Sequence, residues 1–191
     1  MKVVGINSSP RKDGNTSLLI RAVFEELEKQ GIETEQVHIG GTAVRGCTGC
    51  GICGKQRNMR CVFDDDIIND CIAKMAAADG IILGSPCYFA DVTAEMKALI
   101  DRAGMVALTN GGFLKHKAGC CVVAARRGGA IHAFDTMNHF LHYIQTFMVG
   151  TSYWNMAYGL KIGDVTKDQE GLQNMKALGE NMAYLLKKLK A

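Results

Sequence analysis

Four cysteines lie within fifteen residues of one another, and their spacing suits a metal centre. Cys47, Cys50 and Cys53 form a C-x2-C-x2-C triplet, and seven residues separate Cys53 from Cys61. Four cysteine thiolates are the usual ligand set of a [4Fe–4S] cluster, and the flanking glycines let the backbone bend around one. Zinc remains an alternative, although it prefers two separated C-x2-C knuckles to a continuous triplet. A bacterial ferredoxin run has a shorter last gap and a proline where Val62 stands here.

A second candidate site is the polar segment 7–17, which follows a short apolar run and leads directly into a helical pattern. The N-terminus of a helix offers free N–H groups and a partial positive charge, which suit a phosphate dianion. The side-chain donors available there are Ser9, Arg11, Asn15, Thr16 and Ser17. The spacing fits neither the P-loop nor the dinucleotide-binding glycine pattern, so both of these nucleotide-binding classes are disfavoured. A capped helix after a polar turn is the alternative interpretation.

Two further loops carry candidate ligand-binding residues. The segment 84–92 contains the aromatic pair Tyr88 and Phe89, which can form a wall for a flat ring or fill the domain's own core. The segment 125–130 contains Arg126 and Arg127 followed by two glycines, which permit close approach of the backbone to a ligand. The arginines are either solvated or a counter-charge for a bound group.

The residues around these loops alternate between short apolar runs and amphipathic helical patterns. Strands are predicted at 2–6, 34–39, 80–85, 117–125 and 149–153, and helices from 16 to about 31, at 64–77, around 96–103, at 130–147 and at 168–190. Such alternation implies parallel strands joined by right-handed crossovers, which is a doubly wound α/β sheet. Ligands of these sheets lie outside the carboxyl ends of the strands. Residues 40–62 form a Cys-rich insert after the second strand.

Composition narrows the class of protein. The chain has 191 residues, 48% hydrophobic and 21% charged, which indicates one globular domain and excludes disorder. A net charge of +3 gives no footprint for nucleic acid or an anionic membrane. The sequence has no signal-like start and no apolar run of the roughly 18–20 residues that a membrane span requires, so a cytoplasmic location is expected. Thiols stay reduced there, and the remaining cysteines, at 71, 87, 120 and 121, have apolar surroundings typical of packing residues.

Three motifs carry a resemblance to a known family: SSPRKDGNTS at 8–17, ADGIILGSPCYFADVTAEMKALIDR at 78–102 and RGG at 127–129. Together they resemble the NAD(P)H-dependent FMN reductase group of flavodoxin-like proteins. With the cysteine insert, the chain is similar to the iron–sulfur flavoprotein family over essentially its whole length, most weakly after about residue 150. The resemblance implies a single FMN-binding domain over 1–191. Its fold would be a flavodoxin-like three-layer sandwich with a five-stranded parallel sheet in the order 2-1-3-4-5.

By motif position, the resemblance implies a role for each candidate residue. The FMN phosphate is expected at Ser9, Arg11, Asn15, Thr16 and Ser17. The isoalloxazine ring is expected along Pro86, Cys87, Tyr88, Phe89 and Asp91. The pyrimidine edge of the ring is expected at Arg127, Gly128 and Gly129. The cluster is expected on Cys47, Cys50, Cys53 and Cys61. Cys87 replaces a β-branched residue common in the family and is interpreted as a small apolar filler rather than a reactive thiol.

The implied function is electron transfer between a low-potential donor such as ferredoxin and an acceptor, through FMN and a [4Fe–4S] cluster. The cofactors supply the chemistry, so no general acid or base is assigned. The resemblance also implies a homodimer or homotetramer in which the cluster of one subunit approaches the flavin of another. Two alternatives remain: a cluster-free NAD(P)H-dependent FMN or quinone oxidoreductase that keeps its loop cysteines empty, and a zinc-stabilised flavodoxin-like binding module without turnover.

Overall fold

A computed structural model describes residues 1–190. A parallel sheet lies at its centre, with strands in the order β2-β1-β3-β4-β5 and a further strand, β6, that also pairs with β4. The strands are β1 (Lys2–Asn7), β2 (Glu33–His38), β3 (Gly80–Pro86), β4 (Ala118–Ala125), β5 (Phe147–Met148) and β6 (Met156–Tyr158). The helices are α1 (Asn15–Lys29), α2 (Ile52–Gln56), α3 (Ile68–Ala77), α4 (Ala94–Thr109), α5 (Ala130–Tyr143) and α6 (Gln169–Lys190), with a 3-10 turn at Asp164–Lys167 before α6.

Helices cover both faces of the sheet and make two separate apolar cores. One core joins the sheet to α3, α4 and α5, and the other joins it to α1 and α6. Side chains of successive strand residues point to opposite faces, so Cys121 and Val123 of β4 belong to the first core and Cys120 and Val122 to the second. This arrangement confirms the predicted flavodoxin-like sandwich and its strand order. No helix within residues 1–190 is both long and apolar enough to cross a membrane.

The sheet edge beyond β4 differs from the prediction. Helix α5 ends at Tyr143 rather than at 147, and 149–153 is not a strand. The edge position is shared instead by β5, beside Ala118 and Gly119, and by β6, beside the last three residues of β4. Between them the chain leaves the sheet, because the hydroxyl of Thr151 bonds to local groups in a turn and competes with ladder formation.

The acidic run at 64–66 precedes α3 instead of forming its first turn. Asp66 accepts a hydrogen bond from the Ile68 N–H at 3.1 Å and so caps the helix from outside. The cysteine insert therefore extends to the start of α3 and contains one short helix, α2. Its segment 43–51 has no regular secondary structure and is largely exposed.

Candidate cofactor cavity and cysteine pocket

Four loops at the carboxyl edge of the sheet meet around a cavity of about 180 Å³. They follow β1, β3, β4 and β6, as expected for a ligand site in a doubly wound sheet. The lining residues are Ser9, Arg11, Asn15, Thr16, Pro86, Cys87, Tyr88, Ala124, Arg126, Gly159 and Leu160. Seven of the thirteen residues predicted to bind the cofactor are among them.

The N-terminus of α1 forms one end of this cavity. The first bond of the helical pattern runs from the Leu18 N–H to the Gly14 carbonyl at 3.1 Å, so the N–H groups before Leu18 have no helical acceptor. The Thr16 hydroxyl is buried and has no hydrogen-bond partner within residues 1–190. A buried, unpaired hydroxyl beside the positive end of a helix fits the oxygen of a phosphate group.

Asn15 holds a neighbouring loop through its side-chain amide. Its amide nitrogen donates to the carbonyls of Gly159 and Lys161 at 3.2 and 2.9 Å, and its amide oxygen accepts from the Gly163 N–H at 2.9 Å. These bonds position the loop 159–163, while Asn15 also lines the cavity and its contact with phosphate stays a prediction. Sequence reasoning missed this loop, although its place at the carboxyl end of a strand was the signal that could have revealed it.

Two other predicted phosphate residues differ in their placement. Ser17 is buried against β2, where its hydroxyl accepts a bond from Gln36 at 2.8 Å, and it does not line the cavity. Arg11 lines the cavity mouth, and its guanidinium reaches the Leu160 carbonyl at 3.4 Å. The N-terminus of α1, Thr16, Ser9 and Arg11 therefore lie together at one end of the cavity.

The loop after β3 makes a tight two-residue turn. The Tyr88 N–H donates to the Asp91 carbonyl at 2.8 Å, and the Asp91 N–H donates to the Tyr88 carbonyl at 3.0 Å. Phe89 and Ala90 both adopt positive φ, at 48° and 64°, which L residues seldom do and which costs conformational energy. Tyr88 lines the cavity, whereas the Phe89 side chain is fully exposed at the tip. Phe89 does not line the cavity, and its contact with the ring stays a prediction.

Asp91 stabilises the same turn. Its carboxylate accepts bonds from the Val92 N–H at 2.7 Å and the Thr136 hydroxyl at 2.8 Å, and His132 lies 3.6 Å from the other oxygen. Burial raises the pKa of this carboxyl, but the two hydrogen bonds lower it more, so the net shift is downward. Asp91 lies outside the cavity lining, and its predicted place along the ring becomes a structural one.

The glycine pair after β4 brings two loops together. Gly129 has a φ of 90°, and an added Cβ would lie 3.1 Å from the Ala90 Cα and 3.2 Å from the Cys87 sulfur. Only glycine fits this approach without displacing the turn. Arg126 lines the cavity, whereas Arg127 and Gly128 do not. Burial raises the pKa of the Cys87 thiol, which keeps it protonated and supports its interpretation as a filler.

The four clustered cysteines surround a second, separate pocket between the insert and α4. All four are free thiols; Cys47 and Cys50 are exposed, Cys61 is half-buried and Cys53 is buried. Residues of one α4 face close the pocket: Arg102, Met105 and Val106. Their spacing of three and four residues places them on one side of the helix.

Two cysteines are anchored firmly. Asn110 donates to the Cys53 carbonyl at 3.3 Å, and the Thr109 hydroxyl lies 3.6 Å from the Cys53 sulfur. Buried Asn69 accepts from the Cys61 N–H at 2.8 Å and donates back to its carbonyl at 2.9 Å. Cys53 and Cys61 therefore have fixed backbones, whereas Cys47 and Cys50 lie in the irregular segment 43–51.

Arg102 is the charged wall of the cysteine pocket. Its side chain is completely buried and pairs with the equally buried Asp66. It also donates to the carbonyls of Arg45 at 3.3 Å and Phe63 at 2.7 Å. Burial lowers the pKa of the guanidinium, but Asp66 and Cys61 raise it more, so the group stays charged. One cationic side chain thus faces four potential thiolates.

The thiols do not converge on a point. Within residues 1–190, no three His, Cys, Asp or Glu side chains are gathered as ligands of one metal ion. A tetrahedral zinc site would require four sulfurs at about 2.3 Å from one centre. In a [4Fe–4S] cluster each thiolate has its own iron, so the sulfurs lie farther apart. The donor set and its buried cation fit such a cluster. The free space is only about 10 Å³, however, so the exposed segment 43–51 must move outward to admit it.

Comparison with known proteins relates this architecture to a family. Residues 1–161 match the family model of the NADPH-dependent FMN reductases. An iron–sulfur flavoprotein of Methanocaldococcus jannaschii is 35% identical over the full length of both chains. Another, from Methanosarcina thermophila, is 33% identical over 97% of this chain and 95% of its own. The crystal structure of a flavodoxin, WrbA-like protein from Agrobacterium tumefaciens has the same fold, with a TM-score of 0.66 at 17% identity, covering 98% of this chain and 97% of that one.

The family model covers all four loops of the cavity up to Leu160, and the relatives match the chain through the cysteine insert as well. The chain therefore belongs to the NADPH-dependent FMN reductase family and, within it, to the iron–sulfur flavoproteins, and it is an FMN-dependent oxidoreductase.

Proposed function

We propose that this protein binds FMN in the carboxyl-edge cavity and a [4Fe–4S] cluster on Cys47, Cys50, Cys53 and Cys61, and transfers electrons between a low-potential donor such as ferredoxin and an acceptor. The observation that carries the proposal is the gathering of four free thiols around a buried cation, beside a separate anion-binding cavity. When bound, FMN takes up one or two electrons and the cluster takes up one at a time, so the pair would connect one-electron and two-electron partners.

The protein's own residues bind and orient these groups. In the proposal, the N-terminus of α1 and the Thr16 hydroxyl bind the phosphate, and Arg11 neutralises its charge from the rim. Pro86, Cys87 and Tyr88 line the ring on one side, and the loop 126–129 approaches its polar edge. Asn15 keeps the loop 159–163 in place and thereby closes the cavity on its remaining side.

The cysteine pocket is proposed to open when it takes up its cluster. Gly46, Gly49 and Gly51 have no atom within 4 Å of where a Cβ would stand, so the segment that carries Cys47 and Cys50 is unobstructed. Cys53 and Cys61 keep their positions, because Asn110 and Asn69 hold their backbones. Ligand uptake then requires movement of the exposed half of the site only.

The charge of the insert supports an acidic protein donor. Residues 40–62 contain four basic side chains and no acidic one, and the insert ends in the three aspartates 64–66, of which Asp66 pairs with Arg102. Arg45 and Arg60 pair with Asp65 and Asp64, whereas Lys55 and Arg57 form no ion pair within residues 1–190. A positive surface beside the cluster steers a negatively charged partner to it. We propose that the whole chain works as one domain in a cytoplasmic homodimer or homotetramer, where reducing conditions keep its eight thiols free.

The first experiment measures iron, acid-labile sulfide, zinc and FMN in anaerobically purified protein. About four irons and one FMN per subunit are expected for the wild type. Cys61→Ser should lose most of the iron and keep FMN, whereas Cys120→Ala, a buried thiol on β4, should keep both. No iron together with rapid NADPH oxidation would instead establish a cluster-free reductase, the candidate favoured by the small free space between the thiols. Zinc without flavin would indicate a binding module.

The second experiment tests the donor. Replacing both Lys55 and Arg57 by Glu should slow reduction by reduced ferredoxin at least about tenfold at low salt and weaken its salt dependence. Lys176→Glu on the distant helix α6 changes the charge by the same amount per residue as the Lys55 and Arg57 replacements, and it should have little effect on the rate of reduction. Equal rates in both variants would contradict a ferredoxin-like donor at this surface.

A further inference from the structure

Arg102 occupies an unusual position for an arginine of a surface helix. It lies on the side of α4 that faces the cysteine insert and the start of α3, which bury it completely. Burial of a charged group is costly unless it is paired and hydrogen-bonded. Its two terminal nitrogens meet this requirement through Asp66 and the carbonyls of Arg45 and Phe63.

The third nitrogen of the Arg102 guanidinium, Nε, does not meet this requirement for a hydrogen-bond partner. Nε is buried and has no hydrogen-bond partner, one of only three such side-chain atoms within residues 1–190. Buried donors without acceptors are rare in native proteins and call for an explanation at each site. Here the side chain lines the pocket of the four thiols. The hydrogen-bond acceptors that binding of a cluster would add to this pocket are sulfurs.

We infer that the Nε–H of Arg102 donates a hydrogen bond to a sulfur of the bound cluster or of its ligand Cys61, and that this bond raises the reduction potential of the cluster. The inference rests on the proposed [4Fe–4S] cluster. Reduction adds one negative charge to the cluster, so a buried N–H dipole beside it stabilises the reduced form more than the oxidised form. Arg102 is therefore a positioning and tuning residue, not a ligand.

A purely structural role is the competing explanation. Arg102 connects α4 to three points of the insert, and a brace of this kind would also be buried. The two explanations differ in the sign that they predict for the change of the cluster's reduction potential in variants of Arg102 and Asp66. As a brace, Arg102 and Asp66 act together, and replacing either one loosens the pocket in the same way. As a tuning donor, Arg102 raises the potential, whereas the carboxylate of Asp66 lowers it by adding negative charge near the cluster.

The test measures the cluster potential by dithionite titration followed by electron paramagnetic resonance, with the FMN potential of the same sample as an internal control. Arg102→Lys keeps a cation beside Asp66 but removes the Nε donor. We expect the equilibrium between reduced and oxidised cluster to shift about tenfold toward the oxidised form, a fall of about 59 mV for one electron. Asp66→Asn should shift it in the opposite direction. Lys97→Gln, on the exposed surface of α4, serves as the matched control.

The outcomes separate the inference from the function on which it rests. A wild-type protein without iron refutes the proposed cluster itself. A wild-type cluster whose potential changes less than about twofold in Arg102→Lys, or a shift of the same sign in both variants, overturns the inference and leaves Arg102 a brace. If Arg102→Lys retains no iron, pulsed electron paramagnetic resonance of the reduced wild-type cluster with 15N-labelled arginine decides instead: hyperfine coupling to an arginine nitrogen supports the inference, and its absence overturns it.

Discussion

Gly40 gives a sharp test of how the fold positions the phosphate end of the cavity. It follows β2 and packs against the loop after β1, where an added Cβ would lie 2.0 Å from the Ser9 carbonyl oxygen and 2.6 Å from that of Ser8. Backbone atoms cannot rotate away as a side chain does. To restore a separation of about 3.0–3.4 Å, the loop must move by about 1.0–1.4 Å relative to β2.

The magnitude follows from what this loop carries. Ser9 lines the cavity, and six residues later the chain enters α1, whose free N–H groups are proposed to bind phosphate. Losing one charge-assisted hydrogen bond costs about 1.5–3 kcal/mol, so the Kd for FMN in Gly40→Ala should rise about 10- to 150-fold. Overpacking should lower stability by about 1–3 kcal/mol, or about 2–12 °C in Tm for a chain of this size.

Gly46→Ala is the matched control, because nothing lies within 4 Å of its Cβ position and the change in composition is identical. FMN fluorescence titration of the apoprotein gives the Kd, and calorimetry gives the Tm. Affinity in Gly40→Ala within about twofold of Gly46→Ala, with a Tm within about 1 °C, would refute the claim that this contact positions the phosphate loop.

Three further predictions concern single side chains. Asn15→Ala removes three hydrogen bonds to the loop 159–163, so we expect at least about tenfold weaker FMN binding and faster proteolysis of that loop; unchanged proteolysis would contradict the positioning role. Burial raises the pKa of Cys71 to about 12. The contribution of its protonated thiol to the free energy of unfolding is therefore fully present below the ordinary thiol pKa near 9 and is lost as pH rises toward 12. The free energy of unfolding, measured in urea between pH 9 and 11, should fall less steeply with pH in Cys71→Ala than in the wild type, by up to about 1.4 kcal/mol per pH unit. Equal slopes in the two proteins would contradict this. Because burial raises the pKa of the Cys87 thiol, iodoacetamide should label it more slowly than exposed Cys47 in apoprotein, and equal rates would contradict its interpretation as a filler.

The doubly wound sheet and the region of the cavity could be predicted from the residues, because they depend on local periodicity, whereas the strand order was implied only by the family resemblance. Apolar runs such as that of β3 alternate with helical stripes, and this alternation alone determines parallel strands with ligand loops at one edge. The edge beyond β4 could not be predicted in the same way. Residues 149–153 are compatible with a strand by composition, but in the fold the hydroxyl of Thr151 bonds to Tyr153 in a local turn.

The hydrogen-bond partners of individual side chains could not be predicted where those partners are distant in sequence. Asn15 and Ser17 belong to a motif whose polar residues all suggested phosphate contacts. In the fold, one binds a loop almost 150 positions away and the other accepts a bond from Gln36 on β2. Arg102 is the last residue of the family motif at 78–102, and it follows the exposed i,i+4 ion pair of Lys97 and Asp101. From the sequence it would therefore be taken for a solvated residue of the helix. Nothing local indicates that the insert buries it.

Helix α4 explains how the two sites can coexist on so small a fold. At its N-terminus, Thr93 donates to the Ser8 carbonyl at 3.2 Å and its own N–H donates to Ser85 at 3.1 Å, which ties the helix to two of the loops around the cavity. Two to four turns later, the face that begins at Arg102 supports the cysteine pocket. The insert packs along this side of the helix, while Val106 of the same face also belongs to the core beneath α4, so the pocket is built without altering a strand or a crossover of the sheet. A second redox centre added there leaves the first intact, and a single rigid helix then fixes how far apart the two lie.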